Sequence, residues 1–262
     1  MLEGGKILVT GAKAGIGFAI AKACVDAGAA VALHARDQAD LTDALSKLGA
    51  EAKGVAGDLS DPEAPARIVA DAAEALGGLD GLVNNAALLN RSTLDDATAA
   101  HFDAMFAVNA RAPLLLIQAA LPHFERAAAQ GGAGGAVVNI GSINAHCGAP
   151  NLLTYSASKA ALMTATRNLG DALGGRPIRI NQINVGWTLT ENEHQLQLSE
   201  GQPEDWLERV PKEFAPRGMI LKPEEIAAHA VFWLSERSAP ATGQVYELEQ
   251  YPLIGRNRIS TR

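Results

Sequence analysis

Short apolar segments alternate with longer alanine-rich segments along most of this 262-residue chain. The short segments are rich in Val, Ile and Leu and have the length of buried strands, whereas the longer ones space their apolar residues like helices. Strand–helix alternation predicts an α/β fold: a doubly wound, parallel sheet with helices on both faces. Seven strands are predicted at residues 6–10, 30–34, 52–57, 81–84, 136–140, 178–184 and 243–248. Helices are predicted at residues 17–26, 37–48, 62–76, 99–128 and 154–173.

Two segments depart from this alternation within what we predict to be a single domain, residues 1–262. Residues 190–216 are polar, contain three prolines and are too long for an ordinary connection, so we interpret them as a lid over the substrate. The C-terminal tail, about residues 249–262, carries Arg256, Arg258 and Arg262. It is either a frayed terminus or an arm that reaches a neighbouring subunit.

Charge and composition exclude several classes of partner. A net charge of −7 argues against nucleic-acid binding, which requires a basic face. The sequence does not begin with the charged segment and longer apolar run that would indicate a signal peptide. No run approaches the roughly 18 apolar residues that span a bilayer, so no membrane association is predicted. The two cysteines, Cys24 and Cys147, form no disulfide framework, and the histidines lack metal-ligand spacing. We therefore expect a cytoplasmic protein without a metal.

A glycine-rich turn, Gly11-Ala12-Lys13-Ala14-Gly15-Ile16-Gly17, connects the first predicted strand to a helix. Glycine permits unusual dihedral angles and close approach of a pyrophosphate, and a helix N-terminus favours anionic charge. A glycine turn without a ligand is the alternative, but the strand–turn–helix context favours dinucleotide binding. The sequence thus predicts a Rossmann-like fold with Gly11, Lys13, Gly15, Ile16 and Gly17 at the cofactor.

The spacing Gly-x-x-x-Gly-x-Gly resembles the short-chain dehydrogenase/reductase family of the non-extended type. Asp58-Leu59 resembles its adenine-contacting pair, and Asn84-Asn85-Ala86-Ala87 resembles its Asn-Asn-Ala-Gly segment, although strand-end capping is the alternative role for the two amides. The resemblance extends from Thr10 to about Gly243 and implies an NAD(P)(H)-dependent oxidoreductase that interconverts a secondary alcohol and a ketone. It implies cofactor contacts from Asp58, Leu59, Asn85, Ala86, Tyr155, Lys159, Thr188 and Thr190.

Four residues match the family's catalytic positions. Tyr155 and Lys159 are predicted on one helix face, one turn apart, where an ammonium and an oxidised nicotinamide would favour the phenolate. Ser142 lies thirteen residues upstream at a strand end, where doubly wound sheets place ligands, and the resemblance implies that it orients the substrate oxygen toward Tyr155. Asn109 matches the asparagine that holds a water near the lysine; a helix-distorting or core amide is the alternative.

The end of the second predicted strand bears on cofactor choice. No acid stands at position 35 to bind the ribose hydroxyls, and Ala35 is followed by Arg36, which could pair with a 2′-phosphate. NADP(H) is therefore favoured over NAD(H). Arg36 could instead stack on adenine or pair with Asp37, and Lys13 could be merely solvated.

The predicted substrate pocket is polar, which favours a polyhydroxylated or acidic metabolite, such as a sugar derivative or hydroxy acid, over a lipophilic ketone. Val185 replaces a proline common in the family, Ala87 replaces a glycine, and Glu249-Gln250-Tyr251 replaces its Asp-Gly-Gly. The predicted lining residues are Asn144, His146, Trp187 and His194, with Cys147, Asn151 and Trp206 beside them.

Alternative functions fit the sequence less well. Ser142 lacks the Gly-x-Ser-x-Gly turn of a serine hydrolase, and the length leaves little room for the larger substrate domain of extended epimerases or dehydratases. A non-catalytic nucleotide-binding regulator or scaffold of the same fold is the remaining alternative. The resemblance also implies a homotetramer or homodimer acting on a small molecule.

Overall fold

The computed structural model describes residues 1–253, and its seven strands form one sheet in the order β3-β2-β1-β4-β5-β6-β7. Every neighbouring pair is parallel. The order reverses between β1 and β4, so helices cover both faces, and the predicted doubly wound fold is confirmed. The strands are β1 (Lys6–Val9), β2 (Ala30–Ala35), β3 (Ala52–Ala56), β4 (Gly81–Asn84), β5 (Gly135–Ser142), β6 (Ile178–Val185) and β7 (Val245–Leu248).

Eight α-helices connect or follow these strands in the described part of the chain. The predicted helix at 99–128 is two helices separated by a π-helical turn, Ala107–Arg111, and the one predicted from residue 37 begins as a 3-10 turn, Gln38–Leu41. The helices are α1 (Gly15–Asp26), α2 (Thr42–Leu48), α3 (Ala64–Leu76), α4 (Ala99–Phe106), α5 (Ala112–Ala129), α6 (Leu153–Ala172), α7 (Glu191–Ser199) and α8 (Pro223–Leu234).

Two helices lie where the sequence indicated none. Helix α7 forms inside the polar segment 190–216, because Thr190 accepts a hydrogen bond from the Glu193 N–H and caps its first turn. Helix α8 begins with Pro223, and the Glu225 carboxylate accepts the Lys222 N–H at 2.7 Å. The tail prediction for residues 254–262, with its three arginines, lies outside the described residues.

The core consists of one apolar layer on each face of the sheet. On one face α1 packs against α8 over β1, β2, β5 and β6; on the other, α3 and α5 pack over the same central strands. Strands buried on both faces need nearly continuous apolar sequence, which is why they were recognisable as short apolar runs. The sheet's carboxyl edge is left for polar residues.

One helical stretch of the described residues, Ala99–Ala129, is long and apolar enough to cross a membrane by length and composition. Of its most apolar window, 39% is buried, and Leu116, Ile117 and Phe124 pack into the core beside α3. The stretch is interrupted by Asn109, Arg111 and Gln118, so it does not contradict the expectation that no unbroken run of about 18 apolar residues occurs. The absence of a membrane partner stays a prediction.

Candidate active site

The glycine turn adopts a conformation that side chains would prevent. Gly11 has a φ of +62°, and a Cβ there would lie 2.8 Å from the Ala86 Cα. A Cβ on Gly17 would lie 2.3 Å from the Gly11 carbonyl oxygen and 2.4 Å from the Asn85 Nδ2. The Asn85 amide donates to the Thr10 and Gly11 carbonyls at 2.9 and 3.1 Å, so the end of β4 holds the turn in place.

A buried histidine that the sequence reading missed also supports this turn. The His34 Nδ1 accepts the Gly11 N–H at 3.4 Å, and its Nε2 donates to the Gly57 carbonyl at 2.9 Å. Burial lowers the pKa of His34, which keeps the ring neutral with its proton on Nε2. The only signal in the sequence was a histidine within an otherwise apolar strand.

This edge of the sheet fits a dinucleotide. Helix α1 begins at Gly15, and its N-cap residue Ala14 offers no side-chain acceptor to the first N–H groups. Such uncapped N–H groups, beside glycines at positions 11, 15 and 17 that let a ligand approach the backbone closely, form an anion site. The Thr190 methyl lies 3.4 Å from the position of a Cβ on Gly15, so the start of α7 faces the same cradle.

The predicted adenosine contacts lie at the ends of β2 and β3. Arg36 is 72% exposed and pairs with Asp37 at 3.2 Å, and Lys13 pairs with Asp40 at 2.8 Å. Asp58 accepts the Ser60 N–H at 2.8 Å, and this bond is the main reason its carboxyl pKa is lowered. Leu59, beside it, is buried. Both cations are thus at the surface with exchangeable carboxylate partners.

The predicted catalytic side chains come together at the carboxyl end of β5. Ser142 is its last residue, opposite Val185 of β6, and Tyr155 and Lys159 occupy the inward face of α6. All three are buried, and the Lys159 Nζ lies 5.8 Å from the centre of the Tyr155 ring and donates to the Ile140 carbonyl at 2.8 Å.

Burial shifts both proton-carrying groups toward neutrality. It raises the pKa of the Tyr155 phenol, which the hydrogen bond with Ser142 partly opposes, and it lowers the pKa of Lys159 to about 8. At neutral pH the phenol is therefore protonated, and the Lys159 amine releases its proton more readily than an exposed lysine does.

Asn109 lies in the π-helical turn between α4 and α5, and its side chain is fully engaged. Its Oδ1 accepts the Leu88 N–H at 2.8 Å, and its Nδ2 donates to the Leu88 carbonyl at 2.9 Å and the Ser158 hydroxyl at 3.0 Å. Ser158 in turn donates to the Tyr155 carbonyl at 2.7 Å. The side chain of Asn109 thus ties the segment after β4 to the first turn of α6.

Of the predicted substrate residues, Asn144 contacts Ser142 directly, and one of the others needs correction. The Asn144 N–H donates to the Ser142 hydroxyl at 3.2 Å, and His146 pairs with Glu247 at 2.7 Å. Trp206, by contrast, is 3% exposed and forms the core of the lid segment, where it stacks on Trp187 with a centroid distance of 5.6 Å. It was expected to line the pocket, but its apolar area is buried within the lid.

His194 also belongs to this lid cluster, since its Nδ1 accepts the Trp206 Nε1–H at 3.0 Å. Cys147 is exposed, and the Asn151 carbonyl accepts the Ser92 N–H at 2.9 Å. Leu189 lies between Thr188 and Thr190, which are predicted to contact the cofactor. Its N–H donates a hydrogen bond to the Leu221 carbonyl at 2.8 Å.

Arg91 was not singled out by the sequence. It pairs with Glu200, at the end of α7, with 2.8 Å between Nη2 and Oε2. The adjacent Ser92 hydrogen-bonds the hydroxyl of Thr154, the residue before Tyr155. Because the charged partners are 109 positions apart, no local pattern could indicate the pair.

Comparisons with known proteins identify the family. Residues 11–249 match a family model described as enoyl-(acyl carrier protein) reductase. The 2-(S)-hydroxypropyl-CoM dehydrogenase 3 of Xanthobacter autotrophicus is 36% identical over 248 residues, which cover 93% of this chain and 94% of that protein. The chain belongs to the short-chain dehydrogenase/reductase family. As such a protein, it is an oxidoreductase that acts on CH–OH groups with a nicotinamide cofactor.

Further members of the family are similar over nearly their whole length. The L-rhamnose 1-dehydrogenase (NAD(P)(+)) of a Sphingomonas species is 32% identical to this chain. The matched region covers 93% of this chain and 94% of the relative. The structure of L-sorbose reductase from Gluconobacter frateurii, complexed with NADPH and L-sorbose, superposes with a TM-score of 0.89 at 30% identity, covering 97% of this chain and 98% of that one. Among the described residues, no group of three or more His, Cys, Asp or Glu could hold a metal.

Proposed function

We propose that this short-chain dehydrogenase/reductase interconverts a secondary alcohol and a ketone on a polar, hydroxylated small molecule, with NADP(H) favoured over NAD(H). The observation that carries the proposal is the buried cluster of Ser142, Tyr155 and Lys159 at the carboxyl edge of the sheet. The same edge bears the glycine turn and the uncapped start of α1.

In the proposed reaction, Ser142 hydrogen-bonds the substrate oxygen and directs it toward the Tyr155 hydroxyl. Tyr155 takes the hydroxyl proton during oxidation and returns it during reduction. The Lys159 amine lies beside the Tyr155 phenol and can carry or release a proton there. The hydrogen bond between Asn109 and Ser158 fixes the turn of α6 that bears Tyr155 and Lys159. The nicotinamide cofactor supplies the hydride acceptor or donor when bound. A water near Lys159 is proposed to complete a proton relay to solvent; it would be held by the backbone at Asn109, because the Asn109 side chain is already engaged by Leu88 and Ser158.

The preference for NADP(H) rests on Arg36 and on the absence of an acid at position 35. Arg36 would leave Asp37 to pair with the 2′-phosphate, and Lys13 would leave Asp40 in the same way. A structural relative solved with NADPH supports this choice. The proposed cofactor contacts are Gly11, Lys13, Gly15, Ile16, Gly17, Arg36, Asp58, Leu59, Asn85, Ala86, Tyr155, Lys159, Thr188 and Thr190.

The proposed substrate contacts are Asn144, His146, Trp187 and His194, which together offer hydrogen-bonding groups rather than an apolar slot. Relatives named for hydroxypropyl-CoM, rhamnose and sorbose support a hydroxylated substrate. A scaffold without turnover would have no reason to keep Lys159 desolvated, because burying an ammonium destabilises the fold. We further propose a cytoplasmic homodimer or homotetramer without nucleic-acid or membrane partners.

The decisive experiment is Tyr155→Phe, assayed by reduced-cofactor absorbance with NADP and NAD over sugars, polyols, hydroxy acids and lipophilic alcohols. Loss of the acid–base group should lower kcat by about 10²- to 10⁴-fold while the Kd for cofactor changes little. Tyr246→Phe, on the exposed edge strand β7, is the matched control and should retain full activity. Retained turnover in Tyr155→Phe would refute the mechanism, and a preference for lipophilic ketones would refute the substrate class.

A further inference from the structure

Helix α7 lies between the glycine turn and the segment after β4. Its cap, Thr190, faces Gly15, and its far end, Glu200, pairs with Arg91. The connection to α7 starts at the end of β6, where Val185 is the partner of Ser142. The partly buried residues of α7 face inward, where His194 and Leu198 pack against the apolar centre of the lid around Trp206, and its exposed residues face solvent. The partly buried residues are Glu193, His194, Leu196, Gln197 and Leu198.

Glu193 is an unusual residue for this inward face. Its Oε1 accepts two hydrogen bonds, from the Trp187 Nε1–H at 2.8 Å and from the Gln197 Nε2 at 2.9 Å. Its backbone N–H is held by the Thr190 hydroxyl at 3.1 Å. Within residues 1–253 it forms no ion pair with a lysine, arginine or histidine, and its Oε2 accepts no hydrogen bond.

A carboxylate that is partly withdrawn from water normally needs a cation or a full set of donors. Glu193 has neutral donors on one oxygen and none on the other, although both donors fix its position. An ionised carboxylate is purely an acceptor, and the Glu193 Oε2 is open to solvent, so a substrate hydroxyl can donate to it in place of water. A carboxylate whose one oxygen is fixed by Trp187 and Gln197 while the other stays accessible, on the segment predicted to cover the substrate, is suited to a ligand contact.

We propose that Glu193 is a specificity-determining residue whose Oε2 accepts a hydrogen bond from a substrate hydroxyl other than the one that reacts. The assignment rests on the proposed dehydrogenase function and narrows its substrate class to neutral polyols and sugars. Carboxylate or sulfonate substrates are disfavoured, because like charges in a partly dry site repel.

The neighbouring charges agree with a neutral ligand. Two basic side chains that follow β5 and β4, His146 and Arg91, are already engaged by carboxylates, those of Glu247 and Glu200. A second carboxylate, Glu249, accepts the Trp187 N–H at 3.2 Å. An anionic group placed beside Glu193 would be repelled by its carboxylate.

Glu193→Gln tests the assignment, because glutamine keeps the length and the acceptor for Trp187 but removes the charge. Glu191→Gln is the matched control: Glu191 forms the same i,i+4 contact, with Gln195 at 2.9 Å, on the exposed side of the same helix. For neutral polyols, Glu193→Gln should lower kcat/KM by about ten- to a hundredfold, the effect of a lost charge-assisted hydrogen bond. A secondary alcohol with a single hydroxyl should change less than about threefold, and hydroxy acids should improve.

Unchanged polyol kinetics in Glu193→Gln, or equal losses for polyols and single-hydroxyl alcohols, would overturn the assignment. The melting temperature and the Kd for NADP(H) show whether each variant is folded. If Glu193→Gln does not fold, Glu193→Asp takes its place: it withdraws the carboxylate by one methylene and should show the same selective loss. A wild-type preference for acids over polyols also overturns it. The Tyr155→Phe result is read independently, so failure of this assignment leaves the dehydrogenase mechanism standing.

Discussion

At the level of one residue, Lys159 lowers the stability of the fold and is expected to be required for turnover. Its ammonium is buried with the Ile140 carbonyl as its hydrogen-bond acceptor, and burial lowers its pKa to about 8. A charge in this environment costs free energy that an apolar side chain of the same length would not. The residue is therefore expected to be costly to the fold and necessary for turnover.

Lys159→Met should abolish most activity and, at pH 7, raise the melting temperature by about 2–6 °C. Below pH 8 the lysine is protonated in both folded and unfolded chains, so the full burial cost is present. Between about pH 8 and its ordinary pKa of 10.5, the unfolded chain holds a proton that the folded protein has released. Wild-type stability therefore rises with pH over this window, and the advantage of the variant shrinks.

Thermal unfolding at pH 7 and pH 9.5 measures this effect, with exposed Lys22→Met as the control. Lys22 pairs with Asp26 on the surface of α1, so its replacement should change stability little at either pH. A Lys159→Met protein that is less stable than the wild type at pH 7 would show that the lysine contributes packing or hydrogen bonding that outweighs its desolvation.

The residues that the sequence could indicate are those with local patterns. Tyr155 and Lys159 are one helical turn apart, and the glycines follow a strand directly. Three site residues were missed. The partners of His34 and Arg91 are distant in sequence, and the contacts of Glu193 depend on which face of α7 is turned inward. Trp206 was misplaced because a tryptophan in a polar segment gives no sign that the segment has an apolar centre of its own.

At the level of elements, α7 is held at both ends, and the pair between Arg91 and Glu200 fixes the far end. Both side chains are about one-third exposed, 31% and 36%, so opening exposes hydratable charges rather than leaving one buried. Exposed ion pairs contribute about 0.2–1 kcal/mol, which makes the contact suited to repeated opening. Through Ser92, the same contact connects α7 to the start of α6.

Removing the pair with Arg91→Ala or Glu200→Ala should raise KM for the alcohol by about two- to fivefold with little change in kcat. The double variant Arg91→Glu with Glu200→Arg should recover most of the loss, because it restores the attraction with reversed sign. At 1 M salt the wild type should approach the single variants. Charge reversal that fails to restore KM would mean that Arg91 acts on the substrate or on packing instead.

Element types followed from the sequence more readily than element ends. Strands buried on both faces had to be apolar runs, and all seven were found. The π-helical turn at Ala107–Arg111 has the composition of ordinary helix, so nothing local distinguished it. Helix α8 was overlooked because, after Glu225, every residue except His229 is apolar and little helical periodicity is visible, although Pro223 and Glu225 mark its start.

Across the whole molecule, the two edges of the sheet differ in their protection. Strand β3 exposes Lys53, a charge that discourages pairing with another sheet. Strand β7, at the opposite edge, carries Tyr246, which stacks on His229 of α8 with a centroid distance of 5.3 Å. Beside them Phe232 is 39% exposed, and these residues border a groove of about 440 Å³ with Ala228 and Trp233.

An exposed apolar edge of this kind favours a second copy related by a twofold axis, since the same patch is then buried on both subunits. Phe232→Glu places two carboxylates against each other across such an axis and should halve the molar mass measured by light scattering after size exclusion. Phe214→Glu is the control, because Phe214 is 53% exposed in the lid segment, away from β7. If Phe232→Glu keeps the wild-type mass while Phe214→Glu lowers it, the subunit interface involves the lid rather than the α8–β7 edge, and assembly would then be coupled to substrate entry.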